Sequence, residues 1–202
     1  MAGFQSPDWS PVIEGLAQSR FAVIHNVLPT ALAVGLQDES DRLRADGRFY
    51  AAGVGRGQQT GVHTDIRGDA ICWLEPDMPA ASAYLACMDE LRLQLNQEFF
   101  LGLVEFESHY AHYAPGSFYR RHVDRHRSSD ARVVSTVLYL NTDWPAGAGG
   151  ELKLYDASEQ LLLTLPPTFN TLVVFMSDDM PHEVCEAQKA RRSIAGWFRI
   201  RS

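Results

Sequence analysis

His122, Asp124 and His182 are the residues of this chain whose types and spacing best suit chemistry. His122 and Asp124 stand two apart in the run FYRRHVD, and on an extended strand such positions project from one face. His182 follows the apolar run LVVFMS and the turn residues Asp178, Asp179 and Pro181, so it supplies a third ligand from another strand. Two imidazoles and one carboxylate on one face of a metal leave three octahedral positions open. That suits non-haem Fe(II), which must take up a cosubstrate and O2 together. A His-x-Asp pair alone is a weak signal, because surface and capping roles produce it often. The other histidines are His25, His63, His109, His112 and His126. His109 and His112 lie three apart on one strand and face opposite sides. His126 falls beyond the strand end, and His25 and His63 have no carboxylate in register. All five are read as structural or solvent-facing.

Arg191, nine residues after His182, strengthens the set. A dicarboxylate cosubstrate that chelates a metal at one end needs a fixed bidentate cation at the other, and arginine suits that better than lysine. Arg191 opens the run RRSIAGWF, where alternation places Ser193, Ala195 and Trp197 on its face and sends Arg192 outward with Ile194.

These residues need a frame, and the second half of the chain supplies one. From Gly102 onward eight short runs rich in Val, Leu, Tyr and Phe follow one another, separated by Pro, Gly, Asn and Asp. Such spacing predicts a β-sandwich or barrel of the jelly-roll kind. The first half predicts a helix over residues 7–19, a strand from Phe21 to His25, a helix opened by Pro29 and a long helix from Pro79 to Phe99. The last of these carries Tyr84, Met88, Leu91 and Leu95 on one face. Between the second and third helices lies AAGVGRGQQTGVHTDIRGD, read as a long mobile loop or hairpin, since its glycines do not make a dinucleotide fingerprint.

Bulk properties agree with one globular domain. The chain has 202 residues, 46% of them hydrophobic and 21% charged. One domain over 1–202 is expected, with helical support and the Gly-rich loop in 1–101 and a jelly-roll core in 102–202. A net charge of -7 argues against a general nucleic-acid binder. No apolar run is long enough to span a bilayer. No secretory signal is visible, and three scattered cysteines read as reduced thiols. A cytoplasmic monomer with neither nucleic-acid nor membrane partner is therefore expected.

With these pieces in order, the stretch from Tyr113 to Trp197 resembles the 2-oxoglutarate/Fe(II) oxygenase superfamily, specifically its prolyl hydroxylase branch, in a bacterial version. The segments that carry the resemblance are YAPGSFYRRHVD, VLYLN before Asp143-Trp144, GGELKLY, PHEV with Arg191 and Trp197, and DIRGDAICW upstream. The resemblance implies a double-stranded β-helix fold, mainly β with flanking helices. It implies Fe(II) held by His122, Asp124 and His182, and 2-oxoglutarate held by Arg191 and the Tyr139 hydroxyl in a pocket lined by Tyr113 and Val137. O2 would be the second cosubstrate and ascorbate a reductant. The loop around residues 50–70 would be the finger that closes over a protein substrate, with Arg56, Arg67, Tyr119 and Trp197 touching that substrate. The implied reaction is hydroxylation of a prolyl residue in an exposed loop of a protein, such as elongation factor Tu. Two alternatives stay open. One is an oxygenase of the same fold acting on a small molecule, free amino acid or nucleobase. The other is a non-redox metal-binding jelly roll, which would not need Arg191 and Tyr139 facing the metal.

Overall fold

Alternation along single strands builds two cores on opposite faces of one sheet. The fold is that of a computed structural model, which describes residues 6–53, 66–124 and 131–201. Strands β1 (Phe21–His25), β2 (Tyr50–Ala51), β3 (Asp69–Trp73), β4 (Glu105–Tyr113), β6 (Arg132–Tyr139), β9 (Thr171–Met176) and β11 (Arg191–Arg199) form a seven-stranded sheet. Its order is β1-β9-β6-β11-β4-β3-β2. Strands β5 (Tyr119–His122), β7 (Leu152–Tyr155), β8 (Leu161–Leu165) and β10 (His182–Val184) form a four-stranded sheet ordered β5-β10-β7-β8. Neighbours pair antiparallel throughout.

Three helices, α1 (Ser10–Ser19), α2 (Thr30–Ala45) and α3 (Pro79–Phe99), cover the outer face of the larger sheet. On β9, Leu172 and Val174 pack toward the helices while Val173 and Phe175 turn toward Leu152 and Leu154 of the smaller sheet. On β6, Val134 and Leu138 take the first direction, and Val137 and Tyr139 the second. Each strand is thus apolar on both faces, as a sheet buried between two layers requires. Leu36, Met88, Leu91 and Leu95 are fully buried against it. Burying each such side chain contributes about 1.5–3 kcal/mol.

A carboxylate ties the helical layer to the sheet. Met78 places no side chain over the start of α3. Glu39 of α2 does so instead, accepting from the amides of Ala80 and Ala81 at 3.0 and 2.9 Å and from the Tyr110 hydroxyl of β4 at 2.8 Å. It serves as a borrowed N-cap for a helix whose first amides would otherwise be orphaned.

The expected elements are present, with shifted ends. α1 starts at Ser10 rather than residue 7, and Pro29 is the residue before α2. All eight expected strands of the second half are there. The ends of the Gly-rich segment pair as a hairpin, Tyr50 opposite Ile71 and Ala51 opposite Ala70. Residues 54–65, with Arg56 and His63, lie outside the described residues, as does His126. No described helix is long and apolar enough to cross a membrane.

Candidate metal centre and active-site cavity

The two histidines of the candidate metal set face each other across a strand pair. His122 ends β5 and His182 opens β10, and they are register partners. Asp124 lies just past β5. Its Oδ1 is 3.5 Å from His122 Nε2 and its Oδ2 is 3.5 Å from His182 Nε2. All three ligand atoms fall within 4.8 Å of one another, the only such cluster among the described residues.

Hydrogen bonding fixes which nitrogens face inward. His122 Nδ1 is 2.8 Å from the Arg120 carbonyl, and His182 Nδ1 is 3.1 Å from the Met180 carbonyl. A carbonyl can only accept, so each Nδ1 carries the proton and each Nε2 keeps its lone pair. Burial also pushes the His182 imidazolium down to about 4, against the opposing pull of Asp124. Burial works against ionisation of Asp124, but the charge either imidazole would carry if protonated outweighs it and holds the carboxyl well below the usual carboxylate range, so Asp124 is ionised. Two lone pairs and a carboxylate therefore converge on one point with no proton between them. That arrangement is repulsive by itself and fits a divalent cation, whose cis donors at about 2.1 Å would stand about 3 Å apart. Ser135 donates to Asp124 Oδ2 at 2.7 Å, and Ser177 Oγ lies 2.8 Å from Ser135 Oγ. Since Ser135 has one hydroxyl proton, Ser177 must be the donor of the second bond. The chain Ser177–Ser135–Asp124 fixes the carboxylate from behind, as partners of metal ligands commonly do.

The ligands open onto a cavity of about 530 Å³ between the two sheets. Arg191 closes part of its wall and is 1% exposed. Its Nε donates to the Gly150 carbonyl at 3.0 Å and Nη1 to Ser193 Oγ at 3.1 Å. The rings of Tyr113 and Tyr139 lie 4.9 and 5.1 Å from the guanidinium carbon. No acidic side chain among the described residues pairs with it. The Tyr139 hydroxyl is buried beside Arg191 and meets the geometry of a hydrogen bond with none of the described residues. A buried cation without a counter-charge beside an unsatisfied hydroxyl is costly unless something anionic joins them, and a carboxylate meets both needs. Val137 lines the same cavity. Arg192 points the other way, to Asp41 of α2 at 2.7 Å.

The expected substrate contacts fall on the metal side. Tyr119 stacks on the His122 ring with centroids 3.7 Å apart. Trp197 lines the cavity, its indole N–H buried without a hydrogen-bond partner among the described residues and Arg132 packed on its face at 3.6 Å. Arg67 also lines it, yet its guanidinium is held bidentately by Asp69 at 2.7 and 2.6 Å and rests over Tyr119. Its charge is thus already matched inside the chain. The sequence reading, which has Arg67 touching the substrate, does not show this internal pairing with Asp69. His109, read as structural, also lines the cavity. The signal was available: four residues from Tyr113 on one strand, it must share the face of Tyr113. Ser135, Asp69 and Trp73 were not singled out either, and they too line the cavity.

Comparison with known proteins agrees with the geometry. The 2OG-Fe(II) oxygenase superfamily matches residues 108–199. Human Egl nine homolog 1 is 30% identical over 87% of this chain and 43% of its own length. The chain spans about half the length of the first curated relatives it matches. A crystal structure of a Pseudomonas putida prolyl-4-hydroxylase superposes with a TM-score of 0.86 at 43% identity, covering 94% of this chain and 97% of that one. A Trichoplax adhaerens prolyl hydroxylase in complex with a hypoxia inducible factor peptide fragment gives 0.83 at 28% identity, covering 94% and 87%. By the convergent ligand set, the buried arginine facing it within one cavity, and these similarities, the chain belongs to the 2-oxoglutarate/Fe(II) oxygenase superfamily.

Proposed function

We propose that this protein is a 2-oxoglutarate- and Fe(II)-dependent prolyl hydroxylase acting on a prolyl residue of a protein substrate. The observation that carries the oxygenase reading is the pairing of two complementary ends in one cavity. His122, Asp124 and His182 converge as lone-pair donors at one end, and Arg191 waits without a counter-charge at the other. The prolyl reading rests on the names of the similar proteins, which include a prolyl-4-hydroxylase and a prolyl hydroxylase bound to a peptide.

In this reading His122, Asp124 and His182 hold the iron, and Arg191 with the Tyr139 hydroxyl binds the far carboxylate of 2-oxoglutarate. Bound there, the metal and cosubstrate supply the O2-dependent oxidation that decarboxylates 2-oxoglutarate and hydroxylates an unactivated C–H bond. The chain's own groups do the positioning. Met180 and Arg120 carbonyls keep both imidazoles in the tautomer that leaves Nε2 free. Ser135 keeps Asp124 turned toward them. Tyr113 and Val137 wall the cosubstrate pocket, and Tyr119 and Trp197 flank the side where the substrate would enter. The Gly-rich segment between Ala51 and Asp69 is taken as the finger over the substrate, with Arg56 in it. Elongation factor Tu stands as the candidate substrate from sequence.

The test has two readouts. The purified chain should bind one Mn(II) or Fe(II) and convert 2-oxoglutarate to succinate, and His182→Ala should lose both. An Asp124→Ala protein used as bait should capture a partner in which wild-type enzyme then adds one oxygen at proline. Metal binding without 2-oxoglutarate turnover would instead favour a non-redox jelly roll.

A further inference from the structure

His109 lines the cavity wall beside Trp73 and Trp197 with an unused hydrogen-bond acceptor. Its ring stands edge-on to Trp73, with centroids 5.2 Å apart and planes at 89°, and tilts against Trp197 at 5.5 Å. It is 3% exposed. Nδ1 lies 3.2 Å from the Tyr110 carbonyl, so Nδ1 carries the proton and Nε2 is a bare lone pair. Burial holds the imidazolium down to about 4, which keeps the ring neutral at ordinary pH. No donor among the described residues reaches Nε2.

The register says where this lone pair sits. On β4 and β11 the inward pairs run Arg191 opposite Tyr113, Ser193 opposite Ala111, then Ala195 opposite His109. Trp73 of β3 is the partner on the other side. His109 is therefore two inward steps from the carboxylate-binding arginine, level with Ala195 and one inward step short of Trp197. Ala195 beside it is small and leaves room over the ring. The wall is otherwise apolar and aromatic, so an acceptor there favours a ligand that brings a donor and penalises one that does not.

Resting on the prolyl hydroxylase reading, we propose that His109 is a specificity-determining residue whose Nε2 accepts a hydrogen bond from the amide N–H that follows the target proline. A prolyl nitrogen has no hydrogen, so the nearest backbone donor to its ring is the next residue's amide, carried on proline's own carbonyl. An acceptor on the wall of the same cavity, beside Trp197, reads that donor directly. His109 touches no metal ligand in this role and takes no part in binding 2-oxoglutarate.

The experiment is a double cycle on enzyme and peptide. Peptides from a digested bacterial lysate are incubated with wild-type enzyme, and one that gains oxygen at proline is synthesised with and without N-methylation of the following amide. Wild-type enzyme should lose about tenfold in kcat/KM on N-methylation, mostly through KM, the size of one well-placed hydrogen bond. His109→Phe keeps a planar ring without the acceptor. It should lose a similar factor with the unmethylated peptide and be indifferent to methylation. His109→Gln keeps an acceptor and should recover part of the loss. Mn(II) affinity, 2-oxoglutarate affinity and uncoupled succinate formation should be unchanged in both variants, which separates a lost contact from a damaged fold. Equal sensitivity of wild-type and His109→Phe to methylation overturns the inference while leaving the prolyl reading intact. If wild-type oxidises no proline in the pool, the prolyl reading fails and the inference goes with it. If His109→Phe does not fold, wild-type tolerance of methylation or failure of His109→Gln to respond to it still overturns the proposal.

Discussion

The Gly150 carbonyl accepts from Arg191 Nε at 3.0 Å, and it can do so because Gly150 holds a φ of +72°. Its own amide is bound to the Glu186 carbonyl at 3.0 Å, which anchors the residue on its N-terminal side. A Cβ at this position would meet Arg191 Cδ at 3.2 Å, Ala187 Cβ at 3.2 Å and Trp144 Cζ2 at 3.1 Å. Gly150→Ala therefore pushes on the guanidinium as well as straining a left-handed backbone by about 1–2 kcal/mol. The expected result is at least a tenfold rise in the 2-oxoglutarate KM with Mn(II) affinity retained, read by succinate kinetics and metal titration.

Adjacent arginines should separate cleanly. Arg191→Ala leaves only the neutral Tyr139 hydroxyl to meet the cosubstrate carboxylate, and losing one partner of a buried charged pair costs about 3–5 kcal/mol. Arg192 makes a partly exposed pair with Asp41, of the kind worth about 0–1 kcal/mol. Calorimetric titration of the Mn(II)-loaded protein with 2-oxoglutarate should show at least a hundredfold loss for Arg191→Ala and little change for Arg192→Ala. The reverse ranking would refute the assignment of Arg191.

How much of this was legible in the sequence follows contact range. Strands such as β9 and β11 read easily because alternation is local, and the inward face of Arg191, Ser193, Ala195 and Trp197 came directly from it. The metal set was legible because two of its members lie two residues apart. The Ser177–Ser135–Asp124 chain was not, since Ser135 and Ser177 are 42 residues apart and meet only through the β6–β9 neighbourhood. Glu39 reaching α3 and Tyr110, 42 and 71 residues away, is the same case. His109 was missed for a different reason. Three residues from His112 it makes a poor ligand pair, and only its four-residue spacing from Tyr113 places it on the cavity face.

Ser135→Ala tests the support behind the metal. It removes the hydroxyl that donates to Asp124 Oδ2 and leaves Ser177 without its acceptor, in a site where both serines are 1% exposed. Outer partners of metal ligands typically contribute about 10–100-fold in affinity. Mn(II) affinity followed by electron paramagnetic resonance should fall by that order, and Ser135→Thr, which keeps the hydroxyl, should retain most of it. Unchanged affinity in Ser135→Ala would show that the carboxylate is held by other contacts.

Glu39→Ala should destabilise the protein without touching the site. Three donors, the part-buried amide of Ala80, the buried amide of Ala81 and the buried Tyr110 hydroxyl, lose their acceptor together. At about 1–3 kcal/mol for each orphaned group, a loss of at least 3 kcal/mol in urea unfolding is expected. Glu39→Gln keeps one acceptor oxygen and should fall between. Mn(II) affinity of the folded protein should be unaltered, because Glu39 lies on the helical side of the larger sheet.

Acid should weaken the fold well above the carboxylate range. His109 and His112 are both pushed down to about 4, each chiefly by burial. In the unfolded chain a histidine titrates near 6.5. Above that pH neither state binds the proton. Between about 6.5 and 4 the unfolded chain takes it up and the folded chain does not, so stability falls as pH falls through this window. Each group contributes a slope of about 1 kcal/mol per pH unit. His112 faces the helical layer, where Arg44 and Arg192 oppose its protonation and Asp41 favours it. His112→Gln removes that titration away from the cavity. Urea unfolding of the metal-free protein at pH 7.5, 6 and 5 should show stability dropping with acid in the wild type and a shallower drop in the variant. Identical pH slopes for the two proteins would show that His112 carries no proton linkage to folding.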